Sequence, residues 1–213
     1  KIYPHSSLLS SGKIEMRHMT AYDEDILTNA SYVKEGVVLD KLLESLIVSD
    51  INLDDIAQVD KDGLILNARI LSYGAEYTVQ VTDPETKKQS QQIIDLSKIK
   101  TKTIDIISDE NGEFDYETPT HKIKFKFATI LESKDLITIS DYLKTAIVEV
   151  NGLRKSNEIE SFLKYEFLVK DSKEFQSHIL DNTPTILLEY EFKGDNGSTF
   201  TAGFQVGSNF FWT

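Results

Sequence analysis

Cysteine is absent from the 213 residues, which removes disulfides, thiolate nucleophiles and every thiolate-bound zinc site at once. Proline and glycine are sparse, at four and ten residues, so neither a collagenous nor a low-complexity chain is in view. Basic charge is scarce too: 23 Lys and Arg stand against 35 Asp and Glu, a net charge of −12. A surface this acidic repels phosphate, and counterion-release binding to DNA or RNA is not expected. Long apolar runs are missing as well. Stretches such as Val37 to Leu39 and Leu64 to Leu66 meet charged residues within a few positions, far short of the roughly 20 residues that span a bilayer. The opening KIYPHSSLLSSGKIEMR has neither the basic start nor the apolar stretch of a secretory leader, so assembly in a cytoplasm is the expectation. What is present is ordinary globular material, 40% hydrophobic and 27% charged, enough to offset the conformational entropy lost on folding.

Residues 1–12 carry Pro4 and four serines with little periodicity and read as an extended N-terminal arm. KIEMRHM, from Lys13 to Met19, alternates charged and apolar residues as a half-buried strand does. Thr20 with Asp23 has the spacing of a capping box, and Asp23, Glu24 and Asp25 put negative charge in the first turn of a helix running to about Lys34. After Gly36, Val38, Leu39, Leu42, Leu43, Leu46 and Ile47 recur at helical spacing on one face. A short helical turn is expected over Asn52 to Ala57, then a third helix, LILNARILSY, capped by Asp60 or Asp62 and ended at Gly74. Glu76 to Val81 and Gln91 to Leu96 read as a hairpin, and TIDIIS and EFDYET, within 103–118, as a second one turning at Asn111 and Gly112.

The second half repeats that order. KIKFKFAT, Lys122 to Thr129, lies over KIEMRHMT, and Thr129 with Glu132 repeats the capping box. Helices are expected near Lys134 to Val150, Ile159 to Val169 and Lys173 to Leu180, then a hairpin of Thr185 to Phe192 and Phe200 to Val206 over KGDNGST. The implied class is α+β, with an arm at 1–12, a first α+β unit at 13–100, a connecting β-hairpin at 101–120 and a second α+β unit at 121–213. Internal duplication accounts for this, as does chance similarity between amphipathic segments.

Chemistry-bearing patterns are few. There is no G-x-S-x-G elbow, and His5, His18, His121 and His178 contain no i, i+4 pair. An EF-hand loop counted from Gly63 would begin at Gln58 and end at Arg69, neither of them a carboxylate. No glycine-rich phosphate cradle occurs. Neither a catalytic residue nor a metal or cofactor is therefore expected, and the chain reads as non-enzymatic. The residues that stand out are Phe210, Phe211 and Trp212, adjacent aromatics near the C-terminal end. They either pack on the chain's own core or anchor in a neighbouring subunit, where aromatic side chains dominate interface energetics. With Tyr3 and Pro4 of the arm they form the candidate docking set.

The segment GKIEMRHMTAYDEDILTNASYVKEG leads into VVLDKLLESLI, then DGLILNARILSYGAEY, a hairpin entering DLSKI at Asp95 to Ile99, and a closing VGSNFFWT. In order and spacing, over most of the chain, this resembles the baseplate hub proteins of T-even-type contractile-tailed bacteriophages. The resemblance implies a structural, non-enzymatic role at the baseplate centre, in a virion tail assembled in the host cytoplasm. The partners it implies are other baseplate and tail proteins or further copies of the chain. An assembly chaperone that leaves the finished particle is the alternative. Some relatives carry cysteine pairs of the zinc-ribbon kind in the two hairpin loops; here those loops read VTDPETKKQS and FKGDNGST, so ribbon-like hairpins without the cysteines are expected.

Overall fold

The computed structural model describes residues 1–194, 197–206 and 208–212. Asp195 and Asn196 of the expected loop KGDNGST, and Gly207 and Thr213 of VGSNFFWT, lie outside the described residues. The helices are α1 (Ala21–Leu27), α2 (Ala30–Glu35), α3 (Val38–Leu46), α4 (Lys61–Tyr73), α5 (Ile130–Ser133), α6 (Ile139–Ala146), α7 (Ser156–Tyr165) and α8 (Val169–Asp181). The strands are β1 (Glu76–Thr82), β2 (Gln89–Asp95), β3 (Thr101–Lys102), β4 (Phe114–Glu117), β5 (Lys122–Phe125), β6 (Ile147–Val150), β7 (Thr185–Ile186), β8 (Glu189–Lys193) and β9 (Thr199–Gly203). Helices and small antiparallel sheets make this an α+β protein.

Two compact units form, each from separated stretches. One takes Lys1–Ile14, Asp50–Lys61 and Thr103–Pro184; the other takes Glu15–Ser49, Asp62–Lys102 and Thr185–Thr213. Contacts thus group the chain differently from the consecutive segments 1–12, 13–100, 101–120 and 121–213.

The first unit is built on aromatic packing. Antiparallel β4, β5 and β6 form its sheet, and alternation along β5 turns Ile123 and Phe125 inward. Phe114 stacks on Phe125 at 5.4 Å, and Phe175 of α8 meets Phe125 edge-on at 5.5 Å. The expected hairpin across 103–118 does not form. The Asn111–Gly112 turn exists, with Asp109 donating its N–H to the Glu113 carbonyl at 2.8 Å, but residues 103–109 carry no strand. β4 pairs instead with β5, placing Phe114 opposite Phe125 in the core. The helix expected to reach Val150 stops at Ala146. Ile147, Val148 and Val150 are β-branched and enter the sheet as β6. The expected arm also has structure: Leu8–Ser11 is a 3-10 turn, capped by Ser7 and ended by left-handed Gly12, and it buries Leu9.

In the second unit α1 and α3 meet in an aliphatic cluster. Leu42, Leu43 and Leu46 of α3 are fully buried with Leu27 of α1. The helix expected from Thr20 to Lys34 divides, because the Asn29 side chain accepts the N–H groups of Ser31 and Tyr32 and starts α2 anew. KIEMRHM is extended but is not a full strand. Met16 forms an isolated bridge with Ile47, and Val48 and Arg17 donate N–H bonds to Glu15 and Leu46; the facing stretch after α3 is too short to extend the ladder. The β1–β2 hairpin stands as expected. In the second, β8 pairs with β9, whereas Thr185 and Ile186 leave it to pair with β3 as β7. Both hairpins belong to this one unit.

Candidate docking sites

Tyr3 is half-buried in the first unit rather than free. Its hydroxyl donates to Asp60 Oδ2 at 2.5 Å and accepts the Ala57 N–H at 3.1 Å. Burial, together with the Asp60 carboxylate, raises the Tyr3 pKa far above the phenol's ordinary value, and burial raises that of Asp60. Asp60 therefore holds the N-terminal segment. Pro4 is exposed. Around them the Ser108 hydroxyl donates to the Lys1 carbonyl and His5 donates its N–H to the Glu110 carbonyl. Gly112 makes the close passage possible. It has φ +75°, and a Cβ there would lie 2.9 Å from the Tyr3 carbonyl carbon.

In the second unit the three aromatics divide. Phe210 and Phe211 are 1% and 2% exposed, whereas Trp212 is 47% exposed. Phe210 meets Tyr77 edge-on at 4.8 Å and packs parallel to Phe204 at 6.4 Å. Of the anchor set, the two phenylalanines are committed to their own core and only Trp212 presents its ring outward.

Arg69, not singled out in the sequence, holds this arrangement. It is buried on α4, donates from Nε to the Phe210 carbonyl at 3.2 Å, and its guanidinium lies 4.7 Å from the Tyr73 ring centre. Burial lowers its pKa while the tyrosines oppose that shift. An arginine inside LILNARILSY was the available signal, since a charged residue among apolar helix positions marks a specific partner.

The second buried ionic group joins the extended segment to the helices. Asp23 accepts a bidentate pair from Arg17 at 2.7 and 2.9 Å, a hydroxyl bond from Ser45 at 2.7 Å, and the Thr20 N–H at 2.7 Å. The Arg17 bonds lead in holding its carboxyl well below the ordinary range. The Thr20–Asp23 capping box therefore serves tertiary structure as well as α1. Among the described residues no group of three or more His, Asp or Glu side chains is placed to hold a metal ion. No helix among them is long and apolar enough to cross a membrane.

The structure thus defines an α+β protein of two units, each built from separated stretches of the chain, with no assembled metal-ligand cluster among the described residues. Residues 2–200 match the model of the T4 bacteriophage base plate protein family, and the chain belongs to that family. It is a T4-type phage baseplate protein, a component of the virion tail. No curated protein and no solved structure matches the chain.

Proposed function

We propose that the chain is a structural component of the hub region of the baseplate, acting by protein–protein contact and not by catalysis. The observation that carries this reading is the family match over residues 2–200, joined to the order of motifs from GKIEMRHMT to DLSKI. The geometry is compatible with it: the terminal segments are fastened to their own units, leaving Pro4 and Trp212 as outward features of the candidate docking set. A net charge of −12 suits basic neighbours, and such complementarity steers assembly and suppresses wrong partners more than it adds affinity. Trp212 acts as an aromatic anchor into a neighbouring tail protein or another copy of the chain, with Phe210 and Phe211 as its rigid base.

Quantitative mass spectrometry of purified, salt-washed tails tests this. The expected result is a small fixed number of copies per tail. Near-zero copies in tails, beside abundant protein in the infected-cell lysate, would identify an assembly chaperone that leaves the particle.

A further inference from the structure

We propose that the slot between the two hairpins of the second unit receives an extended segment of a neighbouring tail protein, which adds as a strand to the free edge of β1. The argument begins with hydrogen-bond parity. In an antiparallel pair, residues alternate between those bonded across the ladder and those whose N–H and C=O groups point away from it. Leu96 donates to Ala75 at 2.8 Å and Asp83 to Lys88 at 2.9 Å, so the odd residues of β1 bond to β2. The main chains of Thr78 and Gln80 consequently face outward. In the other hairpin, Phe204 donates to Leu188 and Gly194 to Ser198, which turns the main chains of Gly203 and Gln205 outward. All four of these outward-facing residues line one slot of about 810 Å³, whose lining also includes Val79, Val81, Phe192 and Phe204. Among the described residues, two hairpins thus turn edges that carry no bond within their own ladders toward the same space, an arrangement suited to strand addition.

Gly203 points to an occupant independently. Its φ lies outside the left-handed region, and among the described residues an added Cβ would meet only the Leu188 carbonyl oxygen, at an ordinary 3.5 Å. Neither backbone conformation nor crowding by the described residues requires a glycine there. A strand glycine of this kind marks a place where another backbone comes close.

The lining also selects the occupant's chemistry. Among the described residues no charged side chain borders the slot, although 27% of the chain is charged. The match is an uncharged extended segment with apolar side chains at alternate positions. That the segment comes from a tail protein rests on the baseplate assignment.

The test uses the full chain and a panel of capped synthetic peptides alternating valine with threonine or isoleucine with serine. Binding is followed by calorimetry and by amide exchange. The expected result is slower exchange at Thr78 and Gln80, with affinity at least about tenfold weaker for peptides N-methylated at alternate residues and for Gly203→Val. Gly203→Ala, whose added Cβ makes only an ordinary contact, should weaken binding in the same direction with an unchanged melting temperature. Absence of binding across the panel, or binding indifferent to N-methylation and to both Gly203 variants, would overturn the proposal. Concentration-dependent dimerisation abolished by the Gly203 variants would overturn it in favour of a second copy. The copy number per tail is a separate readout, so failure here leaves the structural role standing.

Discussion

The two units share a local plan and close it differently. In each, an extended segment runs into a threonine capping box, and a later amphipathic helix ends at an isoleucine that pairs back onto that segment. Ile47 pairs with Met16 in one unit, and Ile147 with Phe125 in the other. In the second unit the pairing stops at an isolated bridge, and the buried Asp23–Arg17–Ser45 group ties the segment to α1 and α3. In the first unit β4 joins the other edge of β5, a full sheet forms, and phenylalanines fill the space beneath it. A short ladder is thus reinforced by charge-assisted hydrogen bonds where a longer one relies on aromatic packing.

The largest test of that contrast compares Phe125→Ala with Leu43→Ala. Both side chains are fully buried, and the expected losses are about 4 and about 3 kcal/mol. Denaturant melts read the totals. Amide exchange should show protection falling first in 103–184 for the former and in 15–49 for the latter; equal loss in both units for either variant would mean that they unfold as one. Gly112→Ala comes next. It forces a left-handed non-glycine residue and drives a Cβ against the backbone of Tyr3 and Pro4, at about 3 kcal/mol, with proteolysis at residues 1–12 as the local readout.

Asp23→Asn should cost about 2 kcal/mol by weakening charge-assisted bonds. Its pH dependence has a definite sign. The folded carboxyl is held below its unfolded value, so its contribution is fully present above that value, near ~3.9. It is lost as pH falls from there towards the folded pKa. Acid titration of stability should therefore flatten below about pH 4 in the variant, and an unchanged acid limb would remove Asp23 from the account. The smallest effect separates the capping boxes at Thr20 and Thr129. Thr129→Ala removes an acceptor for the Glu132 N–H and should cost about 1 kcal/mol. Thr20→Ala should cost less, because the Asp23 carboxylate keeps its Arg17 and Ser45 partners; thermal melts of the pair decide the order.

Features governed by neighbours in sequence were legible. Both capping boxes, the leucine face of α3 and the β1–β2 hairpin follow from spacing and turn chemistry. Misread segments are those where a distant partner decided. Ile147 to Val150 continue a helical apolar pattern, yet β5 supplies a ladder and β-branched residues take it. Residues 103–108 alternate like a strand but form none: Ile104 and Ile106 pack against the core of the first unit, and Ser108 bonds to the Lys1 carbonyl. Of the docking set, periodicity could mark Phe210, Phe211 and Trp212 as needing cover, but not that Arg69 and Tyr77 cover the first of them. The grouping of both hairpins in one unit is a property of chain topology that no local window contains.

The interleaving of the units carries a consequence for biosynthesis. Every stretch of the first unit has been translated once Pro184 is made, whereas the second needs Thr185 and beyond to supply β7, β8, β9 and Phe210. During elongation α1 to α4 and the β1–β2 hairpin therefore wait, with Tyr77, Val79 and Val81 uncovered, while residues made after them complete the other unit. That interval is when a ribosome-associated holdase would engage the nascent chain, and when a premature stop after residue 184 would release a product with one closed unit and one open apolar face.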